Sequence, residues 1–279
     1  MPEKDPVQEA EKLVQEANKR KMTLRLLGGI AFRLRCPSSL KDNLKRRYVD
    51  IDFVGVRKER KEIQNFFVDM GYSPRTTFNT MQGFKRLIFN DIDNERRVDI
   101  FLNEFEMCHR LDFTDRVKLD TLTLPLADLL LTKLQVYEIT EREYRDVIAM
   151  FTDHTLGTMD KSDVINEKYI AKLCGEDWGL WRTITLNLER ISSALPRYIP
   201  TQESQQLVKT KIDALWKTLD AEPKSFRWKM RARAGEKVKW YELPEADREV
   251  VDSRPQDQRI ASAPQSAGSG GNGSSSPPS

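Results

Sequence analysis

Apolar residues first recur at helical spacing, where Val7, Ala10, Leu13, Val14 and Ala17 make one stripe and predict an opening helix that braces the body behind it. The period then shortens. TLRLL reads as a strand, GIAFRLR as a helix, YVDIDFVGV as a strand and RKERKEIQNFFVDMGY as a helix. FKRLIFN and RRVDIFLN read as a hairpin around DIDN, which gives a mixed sheet with helices against it. After Pro125 the pattern is helical: LADLLLTKLQVYEI and EREYRDVIAMFTDH predict a helical pair, followed by helices near DVINEKYIAKLC, WGLWRTITLNLERISSAL and QESQQLVKTKIDALWKTL. The expected fold class is therefore α+β, with a sheet domain and its brace helix over 1–123 and a helical domain over 124–241.

Near the end of that second region, SFRWKMRARA alternates Phe226, Trp228, Met230 and Ala232 with Arg227, Lys229, Arg231 and Arg233. Strict alternation predicts a half-buried strand with one basic face, suited to a nucleic-acid backbone with Trp240 and Tyr241 nearby for stacking. A charged edge strand is the plain alternative. Residues 252–279 are rich in Gly, Ser and Pro and are expected to be a disordered tail.

The chain has 279 residues and 39% hydrophobic content, enough for one sizeable core plus a smaller one, and no run is apolar enough to span a membrane. The N-terminus is charged from Glu3 onward, so no signal peptide is expected, and a cytoplasmic location follows as the default. Cys36, Cys108 and Cys174 are odd in number and far apart, which suggests neither a disulfide framework nor a zinc cluster. His109 and His154 are the only histidines; they exclude a His-rich metal centre and read as ordinary residues. The net charge of +3 hides an asymmetry, because residues 19–47 hold ten Lys or Arg and one acid, Asp42. Such a field draws triphosphate or RNA, although CPSSLKDNLKRRY also reads as a solvated loop.

The candidate chemistry lies beside that basic stretch. Asp50 and Asp52 are separated by one residue, so in a strand both project from one face, and aspartate is otherwise depleted in strands. Gly28 and Gly29 open the preceding helix, where backbone N–H groups can approach a phosphate. Asp99 in RRVDIF sits in a second strand able to pair beside YVDIDFVGV. Three carboxylates so placed can hold two Mg²⁺ ions about 3.5–4 Å apart, one at an attacking hydroxyl and one at a leaving pyrophosphate. Taken singly, the glycines read as a tight turn and the aspartates as partners of Arg46, Arg47 or Arg97. Asp91 and Asp93 repeat the spacing, but Asn90 and Asn94 flank them, and they read as turn residues outside the site.

Through LLGGIAFRL, RRYVDIDFVG, RRVDIF and PLADLLLTKLQVYEITEREYRDVIAM the chain resembles the nucleotidyltransferase superfamily of DNA polymerase beta-like fold, close to the AbiEii-type abortive-infection toxins. The resemblance covers roughly Thr23 to Phe151 and implies a phosphate turn at Gly28 and Gly29 and metal carboxylates at Asp50, Asp52 and Asp99. It further implies phosphate contact for Lys133 and site support or base work for Asp146; a helix-surface ion pair is the alternative for each. Where the superfamily often has Ser or Thr after the glycines, this chain has Ile30, so one hydroxyl contact to phosphate is missing. The implied activity is Mg²⁺-dependent transfer of a nucleoside monophosphate from an NTP to a hydroxyl of RNA, protein or a small molecule. A toxin with an antitoxin partner is the implied setting. A catalytically silent module that binds RNA or protein is the competing expectation.

Overall fold

Asp5 starts the first helix, α1 (Pro6–Lys19), by accepting hydrogen bonds from the Val7 and Gln8 backbone N–H groups at 2.8 and 2.9 Å. Ala10, Leu13, Val14 and Ala17, the stripe expected from the sequence, are its buried face. These details come from a computed structural model, which describes residues 2–243; the tail expected over 252–279 lies outside the described residues. Then follow β1 (Leu24–Leu27), α2 (Gly28–Arg35), β2 (Ile51–Gly55), α3 (Arg60–Asp69), β3 (Ser73–Pro74), α4 (Thr76–Met81), β4 (Arg86–Asp91) and β5 (Arg96–Leu102).

The five strands form one mixed sheet in the order β1-β2-β5-β4-β3, with β2 and β5 parallel and every other pair antiparallel. One sheet face packs on α3, where the Phe67 ring lies 5.9 Å from Phe53 and 5.0 Å from Phe89. Such aromatic contacts add to the area they bury and fix the helix against the sheet. The β4–β5 hairpin turns through DIDN as expected. Asp91 pairs with Arg96 across its mouth at 2.5 Å and accepts from the Asn94 side chain at 2.8 Å.

A small hairpin, β6 (Glu104–Glu106) and β7 (Arg110–Asp112), leads to the helical half: α5 (Leu126–Leu134), α6 (Glu141–Asp153), the parallel pair β8 (Thr155–Gly157) and β9 (Val164–Asn166), then α7 (Glu167–Glu176), α8 (Trp178–Tyr198) and α9 (Gln202–Ala221). Thr140 and Glu143 form a capping box that starts α6. The helical half shares one hydrophobic core with the sheet, in which Leu130, Ile148, Ile184 and Leu215 are continuous with Leu26 and Phe53. None of the helices is long and apolar enough to cross a membrane among the described residues.

SFRWKMRARA departs from expectation. It is a helix, α10 (Phe226–Ala234), started by the Ser225 side chain, which accepts from the Trp228 N–H at 3.1 Å, and ended at Gly235 with φ +55°. Alternation misleads here because none of its residues is buried, so no buried sheet face selects a period of two, while Arg, Lys, Met and Ala are strong helix formers. The basic residues therefore spread around a helix instead of lining one face. Arg231 turns inward over the Trp178 ring at 4.6 Å and donates to the Gly235 and Val238 carbonyls. Trp240 and Tyr241 are likewise engaged within the chain: Tyr241 stacks on Tyr137 with centroids 3.8 Å apart, and Trp240 Nε1 donates to Thr183.

Candidate active site

Asp52 lies second in β2, directly opposite Asp99 on the parallel neighbour β5 and opposite Leu27 on β1. The next residue after Leu27 is Gly28, at φ +66°, a left-handed conformation in which a side chain is strained. A Cβ there would overlap the Asp52 carboxylate, so the glycine both makes the turn and clears the place the carboxylate occupies. Gly29 clears a second place, taken by the Arg46 guanidinium. Ile30 is buried in the core, which explains why the position after the glycines carries no hydroxyl.

The three carboxylates have different surroundings. Asp50 precedes β2 and is exposed; Asp52 is half-buried, and among the described residues neither side chain has a hydrogen bond or ion pair. Burial, and then the neighbouring Asp99 charge, push the Asp52 carboxyl up to about 7, against a smaller opposing pull from Lys133. The same two causes raise Asp50 above the ordinary carboxylate range, with Arg97 and Arg142 opposing. Asp99 is 4% exposed and fully engaged: Arg86 reaches Oδ1 at 2.8 Å, and Arg97 reaches Oδ2 at 2.8 Å.

Lys133 and Asp146 meet each other rather than the aspartates. Lys133 Nζ lies 3.0 Å from Asp146 and 3.3 Å from Glu143, and Arg46 binds Asp146 in a two-pronged pair at 2.9 and 2.8 Å. Burial pulls the Lys133 ammonium down, but Asp146 and Glu143 more than offset it and hold it above the usual lysine range. This is a buried network joining α5, α6 and the glycine turn, not the exposed helix pair weighed from sequence.

Among the described residues, no three His, Cys, Asp or Glu side chains gather closely enough to hold a metal ion. The physical reason is that Asp99 is turned to two arginines and Asp50 stands before the strand. Donor chemistry at Asp50 and Asp52 nevertheless fits a hard divalent cation, since both are oxygen donors without partners and a cation would relieve their repulsion. That fit does not extend to Asp99 as arranged.

Arg86 is the neighbour that sequence reasoning passed over. Pairing outward from the DIDN turn sets Ile88 opposite Asp99 and Arg86 opposite Phe101, which places Arg86, Arg97 and Asp99 on one sheet face. Counting the hairpin register is thus the signal that finds it. Both histidines are ordinary, as expected: His109 Nε2 meets the Thr183 hydroxyl at 2.8 Å, and His154 Nε2 meets the Arg35 carbonyl at 3.0 Å. The three cysteines are buried and free.

No protein-family model, no curated protein and no solved structure matches the chain.

Proposed function

We propose that the chain is a nucleotidyltransferase that moves a nucleoside monophosphate from an NTP to an acceptor hydroxyl. One observation carries the reading: an unpaired Asp52 carboxylate over the left-handed Gly28, opposite Asp99 across a parallel strand pair. Asp50 and Asp52 would hold Mg²⁺, which when bound supplies positive charge to the triphosphate. The acceptor oxygen forms a bond to the α-phosphorus, the bond from that phosphorus to the bridging oxygen breaks, and pyrophosphate leaves. Arg86 and Arg97, paired with Asp99 in the free chain, would turn toward substrate phosphate, and Asp99, freed of them, would accept the hydroxyl proton. The acceptor class stays open between RNA, protein and a small molecule, and a toxin setting with an antitoxin partner rests on the resemblance alone.

A second reading has its own observations. Asp99 bound by two arginines, and Arg46 seated on Gly29 where phosphate would approach, favour a silent module that keeps the fold and binds RNA or protein. The test is incubation of the full chain with each α-labelled NTP, Mg²⁺, total RNA and protein. Retained label that disappears in Asp52→Asn supports the transferase; label retained on neither macromolecule nor small product, with any NTP, supports the silent module.

A further inference from the structure

A concavity adjoins α2, and none of Asp50, Asp52 and Asp99 lines it. It is a cavity of about 360 Å³ between the start of α1 and the segment after α2, lined by Arg33, Ser39, Lys45, Arg46 and Tyr48, with Asp5 and the apolar Val7 and Leu40 on its walls. A pocket of that volume suits a small molecule. Its polar groups are nearly all donors. Arg33 and Lys45 have no side-chain ion pair or hydrogen bond among the described residues, while Arg46 is shared with Asp146. Ser39 is 3% exposed; its hydroxyl and that of Tyr48 are buried beside each other and closed off from the cavity.

The one carboxylate present does not cancel this field. Asp5 is occupied with the α1 N–H groups of Val7 and Gln8, and it is the one acid in a lining that holds three cations. The end of α1 contributes little by itself, since Asp5 already caps it. Arg33 and Lys45, both without partners among the described residues, and the Arg46 N–H groups not taken by Asp146 offer more donors than one carboxylate can accept from. A tetrahedral dianion with three terminal oxygens matches them in charge and in number of acceptors. We infer that this cavity binds a phosphate group, free or carried on a small organic ester. Arg33 and Lys45 supply the charge. Arg46 is common to the cavity and to the Asp146 and Lys133 network, so an occupant of the cavity is felt beside Gly29.

The site stands apart from the proposed transferase reaction, and its test is arranged to keep the two separate. Calorimetric titration of the full chain in EDTA uses adenosine 5′-monophosphate, inorganic phosphate and adenosine as probes, in the parent, Asp52→Asn, the double variant R33Q/K45Q and its charge-keeping counterpart R33K/K45R. The expected result is binding of both phosphate compounds, equally in parent and Asp52→Asn, with none for adenosine. R33Q/K45Q should weaken it by about tenfold or more, the value of one charge-assisted contact, with melting temperature unchanged and affinity regained in R33K/K45R. Tighter binding of the monophosphate than of inorganic phosphate identifies an ester as the ligand, and equal binding identifies the phosphate group alone; both uphold the site. Binding that is absent in the parent, unchanged in R33Q/K45Q, or as strong for adenosine overturns it. Failure of the transferase reading leaves these titrations untouched, because no metal and no turnover enter them.

Discussion

Replacing Asp52 by Asn should make the metal-free protein more stable at neutral pH, an unusual direction for a substitution at a partly buried site. The carboxyl is raised from its ordinary 3.8 to about 7, first by burial and then by the Asp99 charge. Between those two values the folded chain holds the proton more tightly than the unfolded chain, so folding stability falls as pH rises through that window and is fully present below it. At about 1.4 kcal/mol per unit the penalty reaches an upper bound of about 4 kcal/mol above pH 7, and entry of water and relaxation of Lys133 bring the expected figure to about 2 kcal/mol. Asn has nearly the same shape over Gly28 and carries no charge to repel. Urea denaturation of parent and Asp52→Asn in EDTA, from pH 4 to pH 9, measures it directly. The two curves should meet near pH 4 and diverge as pH rises, with the variant above. Millimolar Mg²⁺ should raise the parent at pH 8 and leave the variant where it was. A difference that is flat between pH 5 and pH 8, or a variant less stable at pH 8, would refute the claim that an uncompensated charge sits at Asp52.

Gly28→Ala combines a left-handed backbone with an overlap on the Asp52 carboxylate and should cost about 1–3 kcal/mol; the loss should shrink in the G28A/D52A double variant, and additive losses would dismiss the contact. Lys133→Met leaves Glu143 and half of Asp146 without a buried cation, so thermal melting should report about 3 kcal/mol of destabilisation, whereas an effect confined to nucleotide affinity would place Lys133 in the site instead of the network. Ser225→Ala removes the cap of α10 and should cost about 1 kcal/mol, visible as faster amide exchange over 226–234; if exchange there does not change, the cap is not what holds that helix.

Much of the fold was legible in the order of residues. The α1 stripe, the DIDN hairpin and the fold class follow from periodicity and turn chemistry, which act over a few residues and need no partner to be read. Asp52 lies in a strand as its setting predicts, but β2 begins only at Ile51, so strand geometry does not set the direction of Asp50. Two matters waited for the tertiary structure. SFRWKMRARA alternates, but no sheet face meets it, and a period without burial selects nothing; its capping Ser225 and its contact with Trp178 decide for a helix. The state of the candidate site was decided by residues distant along the chain: Arg46 pairs with Asp146 one hundred positions away, Arg86 reaches Asp99 from the other arm of a hairpin, and Asp52 faces Asp99 across strands with two helices and two strands between them in sequence. Local pattern sets which way a charge points, and only packing settles which opposite charge, if any, meets it there.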